Sequence, residues 1–152
     1  MKTKEIMNRH VIAVRRDTTV QDIAKLLLEH GIRAVPVVDE NRHVIGIVAE
    51  GDLVGRLRRV RAAGPLDLLS GAFGFQPGRD IEDQIKKIVA ASAGDMMTTP
   101  VITVGPETDV SEVAAILIDR HINQVPVVDE NMRLVGIVSR ADIVRLATGT
   151  AK

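Results

Sequence analysis

The chain contains the same unit twice. Residues 7–57 align without a gap on residues 97–147, at a constant offset of 90, and 21 of the 51 aligned positions are identical. The longest shared block, Val-Pro-Val-Val-Asp-Glu-Asn, stands at 35–41 and again at 125–131. Chance does not produce such a match over an ungapped stretch. The protein therefore consists of two copies of one structural unit, and we expect a pseudo-two-fold axis between them.

Each copy predicts the order strand, helix, strand, strand, helix, which is an α/β (α+β) pattern with a small sheet. In the first copy, the apolar positions from Val20 to Leu28 follow the i, i+3, i+4 spacing of an amphipathic helix. Asp17 or Thr18 is expected to cap that helix, and Gly31 to end it. In the second copy the expected caps are Thr108 or Asp109.

The β-branched runs predict the strands of each copy. We expect Pro36 to interrupt the hydrogen-bond ladder of its strand, because proline has no N–H group. Polar turns at 39–42 and 129–132 join two strands into a hairpin in each copy. The predicted strands are 11–14, 35–39 and 44–49 with their counterparts 101–104, 125–129 and 134–139, and the predicted second helices are 51–59 and 141–147.

Composition excludes several classes of site. The 152 residues hold 20 Lys plus Arg and 20 Asp plus Glu, so the formal net charge is zero, which disfavours a nucleic-acid-binding protein. The absence of cysteine excludes disulfides, thiolate nucleophiles and iron–sulfur clusters. Without Trp or Tyr, stacking of bases on aromatic side chains is also disfavoured. Because neither a signal peptide nor a membrane-spanning run is evident, we expect a cytoplasmic location.

The element order, the Val-Pro-Val-Val-Asp block and the ending Gly-Ile-Val-Ser-Arg-Ala-Asp-Ile-Val at 136–144 resemble the cystathionine-β-synthase (CBS) domain. Two in tandem resemble a Bateman module. The resemblance implies two repeats packed through their sheets, with two pseudo-symmetric clefts that commonly hold AMP, ADP, ATP or S-adenosylmethionine. It also implies a homodimer. The corresponding division is repeat 1 at 1–59, a linker at 60–94 and repeat 2 at 95–152.

The second copy carries the better match to the family's ligand motif, Gly-h-h-Ser/Thr-x-x-Asp, in which h is hydrophobic. By this resemblance Ser139 corresponds to the phosphate-binding residue and Asp142 to the ribose-binding residue. A carboxylate at this place can accept hydrogen bonds from both ribose hydroxyls, and Arg140 can contact phosphate. The alternative is a capping box without ligand, in which Ser139 and Asp142 only satisfy the helix N-terminus. Asn123, Ile12 and Ile32 complete this predicted better site.

The first copy departs from the motif. Ala49 has no hydroxyl group, and Glu50 places a negative charge where the second copy has Arg140. Asp52 could still hold a ribose, and Arg33 could compensate for the missing charge. Ile102 and Ile122 complete this predicted poorer site, although core packing is an equal alternative for all four isoleucines.

Other features are weaker. His10, His30, His43 and His121 show no spacing typical of a metal site, and no catalytic motif appears, so we expect neither a metal nor an enzyme. The arginines at 56, 58, 59 and 61 form a basic cluster, which is either a solvated face or a contact for phosphate, an acidic partner or RNA. The linker contains a Gly-rich loop with Phe73 and Phe75, then a predicted helix at 79–91.

The sequence therefore favours a stand-alone regulatory module without a catalytic cofactor, which binds an adenosyl ligand between its repeats and signals by conformational change. A ligand-free scaffold for dimerisation or partner binding is the main alternative. Nucleic-acid binding through the basic cluster is a weaker one. No membrane partner is expected, and the regulated protein partner is not identified by the sequence.

Overall fold

The computed structural model describes residues 1–61 and 77–149. Each copy folds as a two-stranded antiparallel sheet covered by helices, as predicted for a mixed α/β protein. The elements in chain order are α1 Thr3–Ile6, α2 Val20–His30, β1 Ala34–Val38, β2 Val44–Ala49, α3 Glu50–Arg61, α4 Pro77–Ala90, α5 Ala93–Met96, α6 Val110–Asp119, β3 Gln124–Val128, β4 Leu134–Ser139 and α7 Arg140–Leu146.

The prediction of a full first strand in each copy was wrong, since residues 11–14 contribute a single parallel bridge between Val14 and Val37. Val14 donates its N–H to the Pro36 carbonyl at 3.0 Å and accepts from the N–H of Val38 at 2.9 Å. A second bridge through Ile12 would need an N–H at Pro36, which proline lacks. The second copy repeats this with Val104, Pro126 and Val128. The expected interruption at Pro36 therefore limits pairing with the first segment.

The N-cap of the first long helix differs from the prediction in the first copy, while its C-terminal end there and the N-cap of the second copy agree with it. Thr19 rather than Asp17 or Thr18 caps α2, accepting from the N–H of Asp22 at 3.2 Å, while Thr18 accepts from Arg15 in the preceding turn. Gly31 ends α2 in the left-handed conformation, with φ of 59°, as predicted. In the second copy Asp109 is the N-cap residue but its side chain makes no capping bond.

Short segments cross between the two copies. Asn8 pairs through both backbone groups with Ile137 of β4, and its counterpart Thr98 pairs with Ile47 of β2. Helix α1 likewise docks on the second copy, where Thr3 donates to the Thr108 carbonyl at 2.9 Å. Helix α5 docks on the first copy through the same kind of bond, from Ala93 to Thr18 at 2.7 Å. These reciprocal contacts establish the pseudo-two-fold relation that the repeat predicts.

The crossing requires glycine at two equivalent sites. A Cβ at Gly136 would lie 2.9 Å from Cγ of Met7, and a Cβ at Gly46 would lie 2.7 Å from Cγ of Met97. Both methionines come from the opposite copy and lie directly on the strand backbone. The two strands therefore bear glycine because a crossing side chain occupies the place of a Cβ.

Two equivalent hydrophobic cores hold the halves together. Ile23, Val35 and Val48 are fully buried in the first, and Val113, Val125 and Val138 in the second. Burying each such side chain contributes about 1.5–3 kcal/mol. Each core also takes in methionine from the other copy, Met96 and Met7 respectively, so neither half is complete without the other.

The linker helix α4 covers most of its predicted range, 79–91, and packs against α2 and α3, with Ile88 against the first core. Phe73 and Phe75 lie outside the described residues. Within the described ranges, no helix is both long and apolar enough to cross a bilayer.

Candidate functional site

Two clefts lie between the copies, at the ends of β2 and β4. We name them by their carboxylates. The Asp142 cleft has a compartment of about 540 Å³ in which Ser139, Arg140 and Asp142 of the second copy face Ile32 of the first. Asn123 also lines this compartment. The structure thus brings these five predicted residues together from both copies.

A second compartment of about 350 Å³ adjoins the first, with Ile32 on the boundary of both. Ile12 lines this second compartment with Val11 and Ile137, and polar and apolar atoms contribute nearly equal parts of its walls. His10 and His30 also line it. The Asp142 cleft therefore has one compartment that carries Arg and Asp side chains and one that is lined by aliphatic residues, histidines and amides, an arrangement that suits a ligand with a flat ring and a charged tail.

The Asp52 cleft is the pseudo-symmetric counterpart, with a volume of about 300 Å³. Asp52 and Arg33 of the first copy line it with Ile102 and Ile122 of the second, so all four predicted residues share one cavity. Thr98 occupies the position that Asn8 has in the other cleft.

The Asp142 carboxylate is already engaged by its own helix. Oδ2 accepts from the Ser139 hydroxyl at 2.6 Å and from the Ser139 N–H at 2.8 Å, while Oδ1 accepts from Arg145 at 2.8 Å. The Asp142 side chain is only 10% exposed. Ser139 and Asp142 thus form a complete capping box, the arrangement that the sequence offered as the alternative to ligand binding.

The two arginines of α7 have different roles. Arg140 donates through Nε to the Ile122 carbonyl at 2.8 Å and through Nη2 to the Leu117 carbonyl at 2.7 Å, so its guanidinium closes the end of α6. Its Nη1 makes no hydrogen bond within the described part of the chain. Arg145, which the sequence analysis did not select, lines the cleft and is paired with Asp142. Its position three residues after Asp142, on the same helix face, was the available clue.

Asp52 is held less completely. Its Oδ2 accepts from the Ala49 N–H at 2.8 Å, and no described residue donates to Oδ1. Asp52 lacks the hydroxyl bond and the arginine bond that Asp142 has. Both differences follow from the sequence, since Ala49 has no hydroxyl and Gly55 stands where the second copy has Arg145. Glu50 turns to Arg33, with 3.7 Å between Oε1 and Nε, and both side chains are more than half exposed.

Sequence reasoning also missed the residues that the crossing segments supply. Asn8 and His10 reach the Asp142 cleft, and Thr98 reaches the Asp52 cleft, because residues 8–10 and 98–100 lie against the opposite copy. No periodicity indicates which copy a segment joins. The offset of 90 between Asn8 and Thr98 was the only trace of their equivalent places.

Capping carboxylates also occur away from the clefts. Hydrogen bonds from the Ser92 hydroxyl and N–H, with the nearby Arg56 charge, lower the pKa of Asp95. Burial raises the pKa of Asp39, but hydrogen bonds from the side chain and backbone of His43 and from Asn41 outweigh it, so the net shift is downward. Arg56 also donates to the Asp95 carbonyl at 2.8 Å.

No metal-binding group of three or more acidic or histidine side chains occurs in residues 1–61 and 77–149.

The family model for the CBS domain matches this chain twice, at residues 4–59 and 93–149. The chain belongs to the CBS-domain family. Its two matches form a tandem pair, as the sequence resemblance predicted.

The CBS pair has relatives in archaea and plants. It is 32% identical over 142 residues to the protein MK0525 of Methanopyrus kandleri, covering 93% of this chain and 60% of that protein. It is 28% identical over 152 residues to the chloroplastic CBS domain-containing protein CBSX2 of Arabidopsis thaliana, covering 92% of this chain and 59% of that protein. The chain thus spans about 60% of the length of these relatives.

Two solved structures have the same architecture. CBSX2 in complex with AMP superposes with a TM-score of 0.73 at 25% identity, covering 97% of this chain and 96% of that one. The CBS domain pair of MJ0100 in complex with 5′-methylthioadenosine and S-adenosyl-L-methionine gives a TM-score of 0.71 at 27% identity, covering 98% and 97%. The fold class and the tandem CBS arrangement are thereby confirmed.

Proposed function

We propose that this CBS pair is a non-catalytic regulatory module, located in the cytoplasm, that binds an adenosyl ligand between its two copies. The observation that carries the proposal is that each cleft joins a carboxylate of one copy to an isoleucine of the other, Asp142 with Ile32 and Asp52 with Ile122. The adenosyl ligands of the CBSX2 and MJ0100 structures support the same ligand class. AMP, ADP, ATP and S-adenosylmethionine are the candidates.

The carboxylates supply the acceptors that a ribose needs. Oδ1 of Asp52 is available for a hydroxyl donor, and each such charged hydrogen bond contributes about 1.5–3 kcal/mol. In the Asp142 cleft a ribose would share the carboxylate with Arg145 or take its place. The released guanidinium of Arg145 would then be free for a phosphate oxygen.

The two clefts differ in the ligand charge that they favour. Arg145 and Arg140 line the Asp142 cleft beside one carboxylate, and Nη1 of Arg140 can meet a phosphate while the other nitrogens keep their carbonyls. Among the described residues that line the Asp52 cleft, Arg33 is the only arginine or lysine, and the carboxylate of Glu50 partly neutralises its charge. We therefore expect phosphorylated ligands to bind the Asp142 cleft more tightly than the Asp52 cleft, and the Asp52 cleft to prefer uncharged or cationic adenosyl ligands.

A bound ligand acts on the relation between the copies because it contacts both of them. Closure of either cleft would move the crossing segments, which pair Asn8 with Ile137 and Thr98 with Ile47. The size of the response is limited by the difference in ligand affinity between the open and closed states.

A homodimer is part of the proposal. Leu28 and Val54 are 84% and 64% exposed, and their counterparts Ile118 and Val144 are 64% and 65% exposed. Equivalent exposed apolar pairs on both copies suit a symmetric contact with a second molecule. Sedimentation of the protein with and without ligand measures this association.

Calorimetric titration and thermal unfolding with AMP, ADP, ATP and S-adenosylmethionine test the proposal. We expect saturable heat from at least one ligand. At 100 times its Kd, the ligand should add about 2.7 kcal/mol of stability. For a chain of this size, that corresponds to a rise in Tm of roughly 5–10 °C. The variant Asp95→Asn, which alters a capping box outside the clefts, should respond as the wild type does. No heat and no shift from any of the four at 1 mM would overturn the proposal.

A ligand-free scaffold is the second candidate, and the closed Ser139–Asp142 capping box favours it. A scaffold should retain its oligomeric state and partner binding in Asp142→Asn and show no ligand response before or after the change. A sensor should keep its oligomeric state but lose its response at that cleft.

A further inference from the structure

Gln124 presents an unused polar group at the centre of the molecule. Its Oε1 is buried and has no hydrogen-bond partner, and no other buried side-chain oxygen or nitrogen of the described residues is in this condition. A buried amide oxygen without a donor costs about 1–3 kcal/mol. Such a group in a cavity wall can be satisfied by a molecule that binds in the cavity.

The place of Gln124 in the fold puts the amide next to both parts of the Asp142 cleft. It is the first residue of β3 and pairs with Ser139 of β4. It lines both compartments of this cleft, and also borders the Asp52 cleft. The equivalent residue of the first copy is Ala34, which pairs with Ala49. The amide is therefore an addition to one copy, which the shared fold does not require.

The chemistry of a primary amide selects the kind of group it meets. It has an acceptor oxygen beside a donor nitrogen, and its terminal torsion is soft, so either end can turn toward the cavity. A glutamine amide matches the amino group and adjacent ring nitrogen of adenine with two hydrogen bonds. On the edge formed by N7 and the 6-substituent, a 6-oxo purine has acceptors at both positions, N7 and O6, and cannot satisfy the amide oxygen.

The rest of the cleft leaves the base as the partner for this amide. Arg145 and Asp142 supply the charged groups that suit phosphate and ribose. Ile12 and Ile32 supply apolar walls in the compartment that Gln124 also lines. We propose that Gln124 reads the amino edge of the base in the Asp142 cleft and makes that cleft selective for adenine over 6-oxo purines. The inference rests on the proposed function, since it concerns the same cleft.

The test compares AMP with inosine monophosphate, which carries a 6-oxo base on the same sugar phosphate. The wild type should bind AMP about 10-fold more tightly or better, as expected for loss of a two-bond amide contact. Gln124→Ala installs the residue that the first copy carries at position 34, so the fold accommodates it. This variant should bind both nucleotides with affinities within about twofold of each other.

Two matched variants assign the effect to one cleft. Ile12→Trp obstructs the Asp142 cleft, and Ile102→Trp obstructs the equivalent place in the Asp52 cleft. The preference for AMP should disappear in the first variant and remain in the second.

The outcomes separate the inference from the proposed function. If the wild type binds neither nucleotide nor any other adenosyl ligand, the proposed function is wrong and the inference with it. If AMP binds but Gln124→Ala keeps the wild-type preference, or the wild type has none, only the inference is overturned. Loss of the preference in Ile102→Trp rather than Ile12→Trp overturns the assignment to the Asp142 cleft.

Discussion

The Asp142 cleft and the Asp52 cleft are built on the same backbone and differ in the groups around their carboxylates. In the second copy Asp142 receives hydrogen bonds on both oxygens, whereas Asp52 in the first copy has one oxygen without a donor among the described residues. The substitutions responsible, from second copy to first, are Ser139 to Ala49 and Arg145 to Gly55.

This difference shows which parts of a duplicated protein can diverge. The crossing segments bind each half to the other through equivalent bonds, such as Asn8 to Ile137 and Thr98 to Ile47, so a change in either backbone would disturb both halves. Side chains at the cleft rims are not under that constraint. The duplication therefore provides two clefts on equivalent backbones, and the ligand preferences of the two clefts can diverge.

The largest expected effect is a loss of stability, and it tests whether the backbones of the two copies are equivalent. Gly46→Val and Gly136→Val would each force a side chain into the methionine of the crossing segment, Met97 or Met7. Overpacking of this kind destabilises by about 1–3 kcal/mol, and we expect the two losses to be similar. Urea unfolding measures them.

The control for this pair is Gly51→Ala, since no atom lies within 4 Å of a Cβ at Gly51. Its stability should stay the same or rise by up to about 1 kcal/mol. A large loss from only one of the two valine variants would show that the halves are not equivalent.

The next effect concerns cleft charge. Arg145→Gln should weaken AMP binding in the Asp142 cleft about 10-fold, because one charged hydrogen bond to phosphate contributes about 1.5–3 kcal/mol. Adenosine, which has no phosphate, should bind that cleft with little change. Titrations at low and moderate salt measure both ligands. Equal weakening of AMP and adenosine would mean that Arg145 acts only by supporting Asp142.

The sequence predicted those parts of the fold that depend on local patterns. Helix α2 with its end at Gly31 and both hairpins follow from spacing and turn residues. The limit of the first segment to a single parallel bridge at Val14 was not predicted. It depends on the N–H group that Pro36 lacks, because a second bridge to residues 11–14 would need that group. The crossing of residues 8 and 98 was not predictable either, since two similar copies offer similar surfaces to both segments.

Some of the residues that line the two clefts could be predicted from the sequence, but their hydrogen bonds could not. Ser139 and Asp142 could be selected from the motif that they match and Asp52 because the aspartate recurs in the first copy, and the structure places Ser139, Asp142 and Asp52 at the clefts. The spacing of residues in the sequence does not predict which group a long side chain contacts. Arg140 thus contacts the carbonyls at the end of α6, while Arg145 occupies the position beside the carboxylate.

The smallest expected effect is a change in Tm from substitutions at the N-termini of α3 and α7. Ser139→Ala removes the hydroxyl that accepts from the Asp142 N–H and donates to its carboxylate, at a cost of about 1 kcal/mol. For a chain of this length, Tm should fall by about 2–4 °C. The reciprocal change Ala49→Ser should raise it by a similar or smaller amount, as measured by calorimetry. Unchanged Tm in both variants would mean that the hydroxyl does not distinguish the copies.

The central claim is that each cleft holds an adenosyl ligand at its own carboxylate. Calorimetric titration of AMP into the wild type, Asp52→Asn, Asp142→Asn and the double variant tests it most directly, with circular dichroism to verify folding. The account predicts two unequal sites in the wild type, one remaining site in each single variant, and binding at least about 100-fold weaker in a folded double variant, since each loses charged hydrogen bonds. A folded double variant that binds AMP with the wild-type stoichiometry and affinity would contradict it.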